Sequence, residues 1–265
     1  MRKIIRGIVL AAAAVIFIVS CINLFQIFSE YHRGETEYAQ IQEYAVLPEE
    51  EETTAETDDF PMPDIDFDAL VEINADFCAW LSIPALDLNY PVVWNGNNET
   101  YLTRTFEGES NSAGCLFVDA ANRPDFLDRN TIIYGHNMKN GSMFGSLSDF
   151  QQKEELAEEE PYFYLYTEDA AMRFQIISYY TTTGDSSTYS LVNTDGEYDA
   201  YLRHILQNSQ FSGYEGGLPE DRPAVVTLST CHGRAGGIER FVLHGILSEK
   251  KEMERIAGRT TGTSF

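Results

Sequence analysis

Basic residues and cysteines are scarce in this 265-residue sequence. Eighteen Lys and Arg stand against 42 Asp and Glu, which gives a formal net charge of −24. Phosphate binding requires a basic surface, so this balance argues against a nucleic-acid partner. The four cysteines form no CxxC pair, and no cluster of His and Cys has the spacing of a metal site. The sequence therefore predicts no bound metal.

The cysteine count also limits disulfide bonding. Cys21 lies within an apolar N-terminal stretch, which leaves Cys78, Cys115 and Cys231 in the rest of the chain. An odd number excludes a fully paired disulfide framework and leaves at least one free thiol. Whether Cys78 and Cys115 pair depends on geometry that the sequence leaves open.

The N-terminus has the pattern of a membrane segment. Three basic residues at positions 2, 3 and 6 precede an uncharged, mostly apolar stretch at 7–29. About 20 apolar residues span a bilayer core, and basic residues on the N-terminal side keep that end in the cytoplasm. A cleaved signal peptide is the alternative, since positions 18–21 resemble a lipoprotein cleavage box. The apolar run continues past Cys21, and its length favours an uncleaved anchor; both interpretations place the main domain outside the cytoplasm.

Four regions follow from the composition. Residues 1–29 are the cytoplasmic N-terminus and anchor, 30–60 an acidic stalk, 61–248 the folded domain and 249–265 a loose tail. Seven of the eleven residues at 49–59 are acidic, which is typical of a solvated, self-repelling linker.

Within the folded domain the pattern predicts mainly β-structure. An amphipathic helix is expected at 66–81, and two more at 147–160 and 196–210. The 15 Tyr and 16 Phe favour strands. Short strands broken by turns are expected at 89–94, 114–119, 131–134, 162–167, 171–181, 224–230 and 240–247. Many short strands of this kind are typical of a barrel or sandwich.

Cys231 is a candidate nucleophile because it directly follows the strand-like run at 224–230. A thiol at a strand end is held rigidly and faces a loop. Strand alternation puts Ser229 on the same face. The alternative is a buried structural cysteine. A free thiol has a pKa of about 8.5 and attacks as the thiolate, so a catalytic cysteine needs a partner base.

His136 has the most suitable setting of the five histidines. It follows a predicted strand and the small Gly135, and a loop rooted on a strand is a common position for a catalytic group. A structural turn histidine is the alternative. His32 and His204 are predicted to lie on the surface, and His232 to face away from Cys231. His244, within the strand at 240–247, is a second candidate.

Arg240 is the third candidate catalytic residue, since no Asp or Glu stands out as a partner for the histidine. It opens an otherwise apolar strand nine positions after Cys231. A guanidinium stays charged, and its fork of N–H donors suits a developing oxyanion. The alternative is an arginine in a surface ion pair.

Together these segments resemble the class B sortases of Gram-positive cell surfaces. The strongest match is TLSTC at 227–231 followed by Arg240, and the next is NTIIYGHNMKNGSMF at 130–144. Further matches are NADFCAWLSIP at 74–84, YPVVW at 90–94, NNETYL at 97–102 and GCLFVD at 114–119. The matches cover most of residues 65–248 in the expected order.

The resemblance implies an eight-stranded sortase-type β-barrel with an N-terminal helical extension and an additional helix before the seventh strand. It implies that Cys231, His136 and Arg240 are the catalytic set. Substrate-groove residues carried over by the match are Asn98, Leu102 and Ser229, with Thr188 and Tyr189 from a looser alignment. One departure is His232, which stands where the family often has an acidic residue.

The resemblance also implies a membrane-anchored cysteine transpeptidase with its catalytic domain outside the cell. Such an enzyme cleaves a threonine-containing sorting signal of a secreted protein through a thioacyl-enzyme. It then joins the product to an amine of a peptidoglycan precursor or cross-bridge, without a cofactor. A cell-wall Cys/His hydrolase is the alternative, although such enzymes place the cysteine at a helix start. A non-catalytic binding module is disfavoured by the complete Cys-His-Arg set.

Overall fold

The computed structural model describes residues 2–46, 60–153, 155–231 and 237–253, with the backbone but not the side chains of Lys3 and Cys231. The helices are α1 (Arg2–Gln42), α2 (Phe67–Ile73), α3 (Asp149–Gln152), α4 (Glu155–Glu159) and α5 (Asp195–Asn208). Two short strands, β1 (Ala45–Val46) and β2 (Asp64–Ile65), pair with each other.

The remaining strands form a closed eight-stranded barrel. They are β3 (Phe77–Ile83), β4 (Leu88–Val93), β5 (Leu116–Val118), β6 (Thr131–Gly135), β7 (Tyr162–Tyr166), β8 (Ala170–Thr183), β9 (Val225–Cys231) and β10 (Glu239–Glu252). The order around the barrel is β10-β8-β7-β3-β4-β5-β6-β9, and β9 pairs with β10. The pairs β4–β5 and β6–β9 are parallel. The predicted barrel is therefore confirmed.

Helix α5 covers part of the outer face of the barrel, immediately before its seventh strand. Thr194 and Glu197 form a capping box at its start, which satisfies otherwise unpaired N–H groups. Its apolar side packs with Val225 of β9 and Val242 of β10, whereas Val226 belongs to the main core. The helix predicted from the 3.6-residue period at 196–210 is confirmed.

The helix predicted at 66–81 is wrong beyond its first turns. Asp66 caps α2 by accepting a hydrogen bond from Ala69 N–H, and the helix ends before Asn74. Residues 77–83 instead form β3. Nearly every residue of this strand is buried, because both of its faces are covered. A strand without polar alternation has no period-2 signal and resembles a helix segment in sequence.

The single helix predicted at 147–160 is also wrong. The structure has two short helices, α3 and α4, and Lys153 after α3 has non-helical backbone angles of φ −133 and ψ 80. Phe150 is the buried residue of α3, and Ala157 is the buried residue of α4.

The N-terminal half of α1 is apolar and uncovered. By length and composition, α1 is the one helix among the described residues that could cross a membrane, with a mean hydropathy of 2.7 in its most apolar window. Phe17 and Phe25 in this half are about 70% exposed. Water would contact this surface at a large free-energy cost in the absence of a bilayer or another apolar partner.

The C-terminal third of α1, residues 30–42, packs on the barrel where the sequence indicated a stalk. Tyr38 and Ile41 are only 4% and 1% exposed. A side chain in place of Gly34 would contact the Asn111 amide at 3.1 Å, so the helix approaches closely there. The acidic run at 49–59 lies outside the described residues. At the other end, β10 continues to Glu252 and pairs with β8, so residues 249–252 are strand rather than tail.

His244 of β10 is completely buried beneath α5. Its Nδ1 lies 3.0 Å from Thr227 Oγ1, and its ring stacks on Tyr180 with centroids 5.3 Å apart. Burial, and secondarily the charge of His204, lowers the pKa of His244 from 6.5 to about 3. The imidazole is therefore neutral in the folded protein at physiological pH.

This burial predicts a pH-dependent stability. Between pH 6.5 and about 3 the unfolded chain binds a proton at His244 that the folded chain does not, so stability falls as pH decreases through this window. One such proton contributes a slope of about 1.4 kcal/mol per pH unit. We expect urea titrations at pH 7 and 5 to show a steeper loss for the native sequence than for His244→Gln. Equal losses in the two proteins would refute the assignment.

Candidate active site

Three neighbouring strands bring the predicted catalytic positions to one end of the barrel. β6 runs parallel to β9 with Gly135 beside Thr230, so His136 leaves β6 at the level where β9 reaches Cys231. β9 runs antiparallel to β10 with Cys231 paired to Arg240. The backbone register therefore brings residues 136, 231 and 240 together, although they are distant in sequence.

A cleft of about 260 Å³ opens at this end. Its lining includes two of the predicted catalytic side chains and three of the predicted substrate contacts: Asn98, Leu102, Phe117, Tyr134, Gly135, His136, Ser229, Thr230 and Arg240. The side chain of Cys231 lies outside the described residues. Its backbone neighbours in the chain and in the sheet, Thr230 and Arg240, both line the cleft.

His136 is half-buried and held by a main-chain carbonyl. Its Nε2 lies 2.7 Å from the oxygen of Leu102. A carbonyl oxygen only accepts hydrogen bonds, so Nε2 carries a hydrogen. Nδ1 is then the nitrogen that remains to exchange a proton, and the ring orientation is fixed by the Leu102 contact.

Two glycines near His136 occupy positions that have no room for a side chain. A side chain at Gly135 would overlap Leu116 and Phe144 at 2.5 Å. Gly114 has a φ of +58, and a side chain there would lie 2.4 Å from the Tyr101 carbonyl and 3.1 Å from the His136 ring. The His136 ring therefore packs against main-chain atoms of Gly114 rather than against a side chain.

Arg240 is the second residue of β10, and its guanidinium is partly buried at the cleft. Its Nη1 donates hydrogen bonds of 2.9 Å to the carbonyls of Gly237 and Glu239. Nε and Nη2 make no hydrogen bond to the described residues, so the side chain is oriented by one nitrogen. The remaining donors suit an anionic oxygen in the cleft.

Asp119 organises the opposite wall of the cleft and was not anticipated from the sequence. Its carboxylate accepts hydrogen bonds from the Tyr134 hydroxyl at 2.9 Å and from the Asn98 amide at 3.1 Å. Burial and the Asp119 charge raise the pKa of Tyr134, which stays protonated as a donor. The strand alternation that places Tyr134 on the face of His136 could have identified it, whereas Asp119 is reached only through tertiary contacts.

The two predicted substrate contacts Thr188 and Tyr189 lie in different environments. Tyr189 lies at the cleft margin, where its hydroxyl is 2.8 Å from Ser229 Oγ and its ring stacks on Tyr134. Thr188 is fully buried, with its hydroxyl 2.8 Å from the Tyr180 hydroxyl. The burial of this side chain beneath the cleft therefore argues against Thr188 as a substrate contact.

His204, His244, Cys78 and Cys115 do not line the cleft. His244 is sealed beneath α5, which rules it out as the alternative base, and His204 lies beside Ser187 at 3.1 Å. His232 lies outside the described residues. Cys78 and Cys115 are free thiols. Burial raises the pKa of both, that of Cys115 to about 12, so neither forms a thiolate readily.

The described part of the chain contains no group of three or more His, Cys, Asp or Glu side chains arranged to hold a metal ion. The described side chains at the cleft supply an imidazole, a guanidinium and hydroxyl groups.

Comparison with known proteins gives consistent matches. A family model described as the sortase domain matches residues 81–248. A curated relative, sortase B of Listeria monocytogenes, is 33% identical over 168 residues, which cover 61% of this chain and 65% of the relative. The match thus spans slightly less than two thirds of that protein's length.

Solved structures match over a larger part of the chain. Bacillus anthracis sortase B in complex with AAEK1 has a TM-score of 0.68 and 30% identity, covering 83% of this chain and 99% of that one. The Staphylococcus aureus sortase B–substrate complex has a TM-score of 0.62 and 27% identity, covering 69% of this chain and 84% of that one.

Proposed function

The chain belongs to the sortase family, and from this membership we propose that it is a class B-type cysteine transpeptidase with Cys231 as nucleophile, His136 as acid and base, and Arg240 as oxyanion partner. The observation that carries the proposal is the register of β6, β9 and β10, which meet at one cleft. Residues 61–248 form the catalytic domain in this proposal.

The first half of the reaction forms a thioester. The Cys231 thiolate attacks a threonine carbonyl, and the C–S bond forms as the carbonyl electrons move to oxygen. Arg240 donates to this oxyanion through guanidinium N–H groups that the Gly237 and Glu239 carbonyls leave free. The C–N bond then breaks, and His136 gives its Nδ1 proton to the leaving amine.

The second half joins the acyl group to a new amine. The incoming amine attacks the thioester, and neutral His136 accepts its proton at Nδ1. Collapse of the second oxyanion breaks the C–S bond and restores the thiolate. The Leu102 carbonyl supports this cycle because it holds Nε2–H throughout and keeps the ring in one orientation. Two easier steps replace one difficult amide exchange.

The proposed acyl donor is a threonine-containing sorting signal of a secreted protein. Asn98, Leu102, Ser229 and Tyr189 are the proposed groove contacts, and Leu102 is 40% exposed at the cleft. The acceptor is an amine of a peptidoglycan precursor or cross-bridge. The substrate complex of the S. aureus relative supports a peptide-binding groove of this kind.

The proposed location is the cell membrane, with one span and an extracellular catalytic domain. The uncovered apolar half of α1 and the basic residues at its start support this topology. The described helix is continuous from the apolar half into the part that packs on the barrel.

Mass spectrometry of the full chain in detergent tests the function. We would incubate it with a library of threonine-containing peptides, with and without a triglycine amine. The proposal expects a thioester adduct on Cys231 and an amine-dependent ligation product. Hydrolysis at a rate that the amine leaves unchanged, with no ligated product, would instead indicate the Cys/His hydrolase.

A further inference from the structure

The C-terminal third of α1 is bonded to one loop of the barrel, residues 101–115, which we call the docking loop. Tyr38 is its central contact: the buried hydroxyl donates to the Gly114 carbonyl at 2.6 Å and accepts from Phe106 N–H at 3.2 Å. Two points of the docking loop, eight residues apart, are thus bonded to a single side chain of the helix.

Two glutamates extend this attachment along α1. Glu30 Oε1 accepts from Ser112 N–H at 2.7 Å, and Glu37 Oε1 accepts from Glu107 N–H at 3.0 Å. Hydrogen bonds to a charged acceptor are stronger than neutral ones. Four main-chain groups of the docking loop therefore depend on α1 for their partners.

The opposite side of the docking loop holds His136. The loop supplies the Leu102 carbonyl that receives Nε2–H, and the bare backbone of Gly114 that lies against the ring. Cys115 N–H donates to the Tyr101 carbonyl at 3.0 Å and so closes the loop between these two points. A displacement of Gly114 from Tyr38 therefore moves the surface on which the imidazole rests.

We propose that α1 is a positioning element of the active site and that Tyr38 is its principal positioning residue, acting on His136 through Gly114 and the docking loop. This inference rests on the proposed function, because it assigns α1 a role in the proton transfers of His136. The anchor helix then contributes to turnover as well as to attachment.

The test compares Tyr38→Phe with Tyr31→Phe, the same chemical change two turns earlier on α1. Kinetics of ligation would be measured on the full chain in detergent, with the ¹⁵N shift of His136 Nε2 as a second readout.

Loss of one hydrogen bond of ordinary strength at the transition state lowers a rate about fivefold. We expect Tyr38→Phe to lower kcat by about that factor at unchanged KM and to shift the Nε2 signal, and Tyr31→Phe to do neither.

A second pair of variants keeps the test decisive if Tyr38→Phe does not fold. Glu30→Ala removes the acceptor of Ser112 N–H, whereas Glu30→Gln retains an oxygen there. The inference expects Glu30→Ala to lower kcat and shift the Nε2 signal, and Glu30→Gln to restore both. Folded Tyr38→Phe or Glu30→Ala proteins with native kcat and native Nε2 signal would overturn it. If the native chain forms no ligation product, the proposed function fails, while the Nε2 signal still tests the positioning.

Discussion

Replacing Cys231 by alanine is expected to remove ligation and thioester formation together, with a loss of activity on the order of 10⁴-fold or more, as for other covalent nucleophiles. Alanine offers no atom that could form the acyl bond, so neither His136 nor Arg240 compensates. The variant is expected to fold, because residue 231 is the last residue of β9 and its main-chain pairing with Arg240 does not depend on the side chain. Peptide turnover and intact-mass measurements check the result.

The matched control is Cys78→Ala, which changes a thiol outside the cleft. The raised pKa values of Cys78 and Cys115 also predict that iodoacetamide at pH 7 modifies Cys231 before either of them. Inactivation should therefore follow modification of Cys231 in the native protein. Retained ligation in Cys231→Ala, or inactivation that follows labelling of Cys78, would exclude the assigned nucleophile.

Replacing Arg240 by alanine is expected to lower kcat about 10²–10³-fold with little change in KM. The physical reason is that the guanidinium acts on an oxyanion that exists only along the reaction path, and loss of one such donor typically has this effect. Arg240→Lys keeps the charge but loses the planar fork, so we expect an intermediate rate. Steady-state kinetics with a fixed peptide and amine measure both values.

Arg240 also donates hydrogen bonds to the carbonyls of Gly237 and Glu239, which stabilise the start of β10. A control for loss of stability is therefore needed. Glu239→Gln changes the adjacent exposed side chain and leaves both carbonyls in place. It should match the native protein in kcat and thermal midpoint. A rise in KM at constant kcat in Arg240→Ala would mean that Arg240 binds the substrate rather than the oxyanion.

Short β-rich runs separated by turns indicated a barrel or sandwich, and the resemblance to the class B sortases specified the eight-stranded barrel. In β9 and β10, Val225 and Val242 lie under α5 whereas Val226 lies in the main core, so apolar residues occupy both faces of these strands. β3 was missed because its apolar residues follow those of α2 with only a short break and were read as one helix, whereas Ala79, Trp80 and Leu81 are all fully buried in a strand. A strand covered on both faces carries no polar residue to mark its period.

The packing of α1 was readable in principle. Tyr31, Gly34, Tyr38 and Ile41 recur at helical spacing and form the face that contacts the barrel. The acidic residues around this face made the helical pattern difficult to recognise and favoured the prediction of a stalk. Two of those acids, Glu30 and Glu37, accept hydrogen bonds from the docking loop. Charged residues that suggested solvent exposure therefore make tertiary contacts.

The sequence predicted which strand ends meet at the cleft, and it predicted less of what surrounds them. His136 and Arg240 follow from strand ends and motif spacing. Asp119 and the burial of Thr188 depend on side-chain contacts between distant segments. A loose alignment gave Thr188 and Tyr189 equal weight, and only the turn geometry distinguishes the tyrosine at the cleft from the threonine beneath it.

The continuity of α1 has a mechanical consequence. Its 41 residues extend about 60 Å at 1.5 Å per residue, and a bilayer core occupies about 30 Å of that length. Barrel contacts begin at Glu30, immediately after the apolar stretch. The apolar part of α1 and the part that contacts the barrel are therefore joined without a flexible linker. With α1 inserted as proposed, the cleft stays at a constant height and tilt above the lipid, and the enzyme searches for its substrates by lateral diffusion rather than by swinging on a tether.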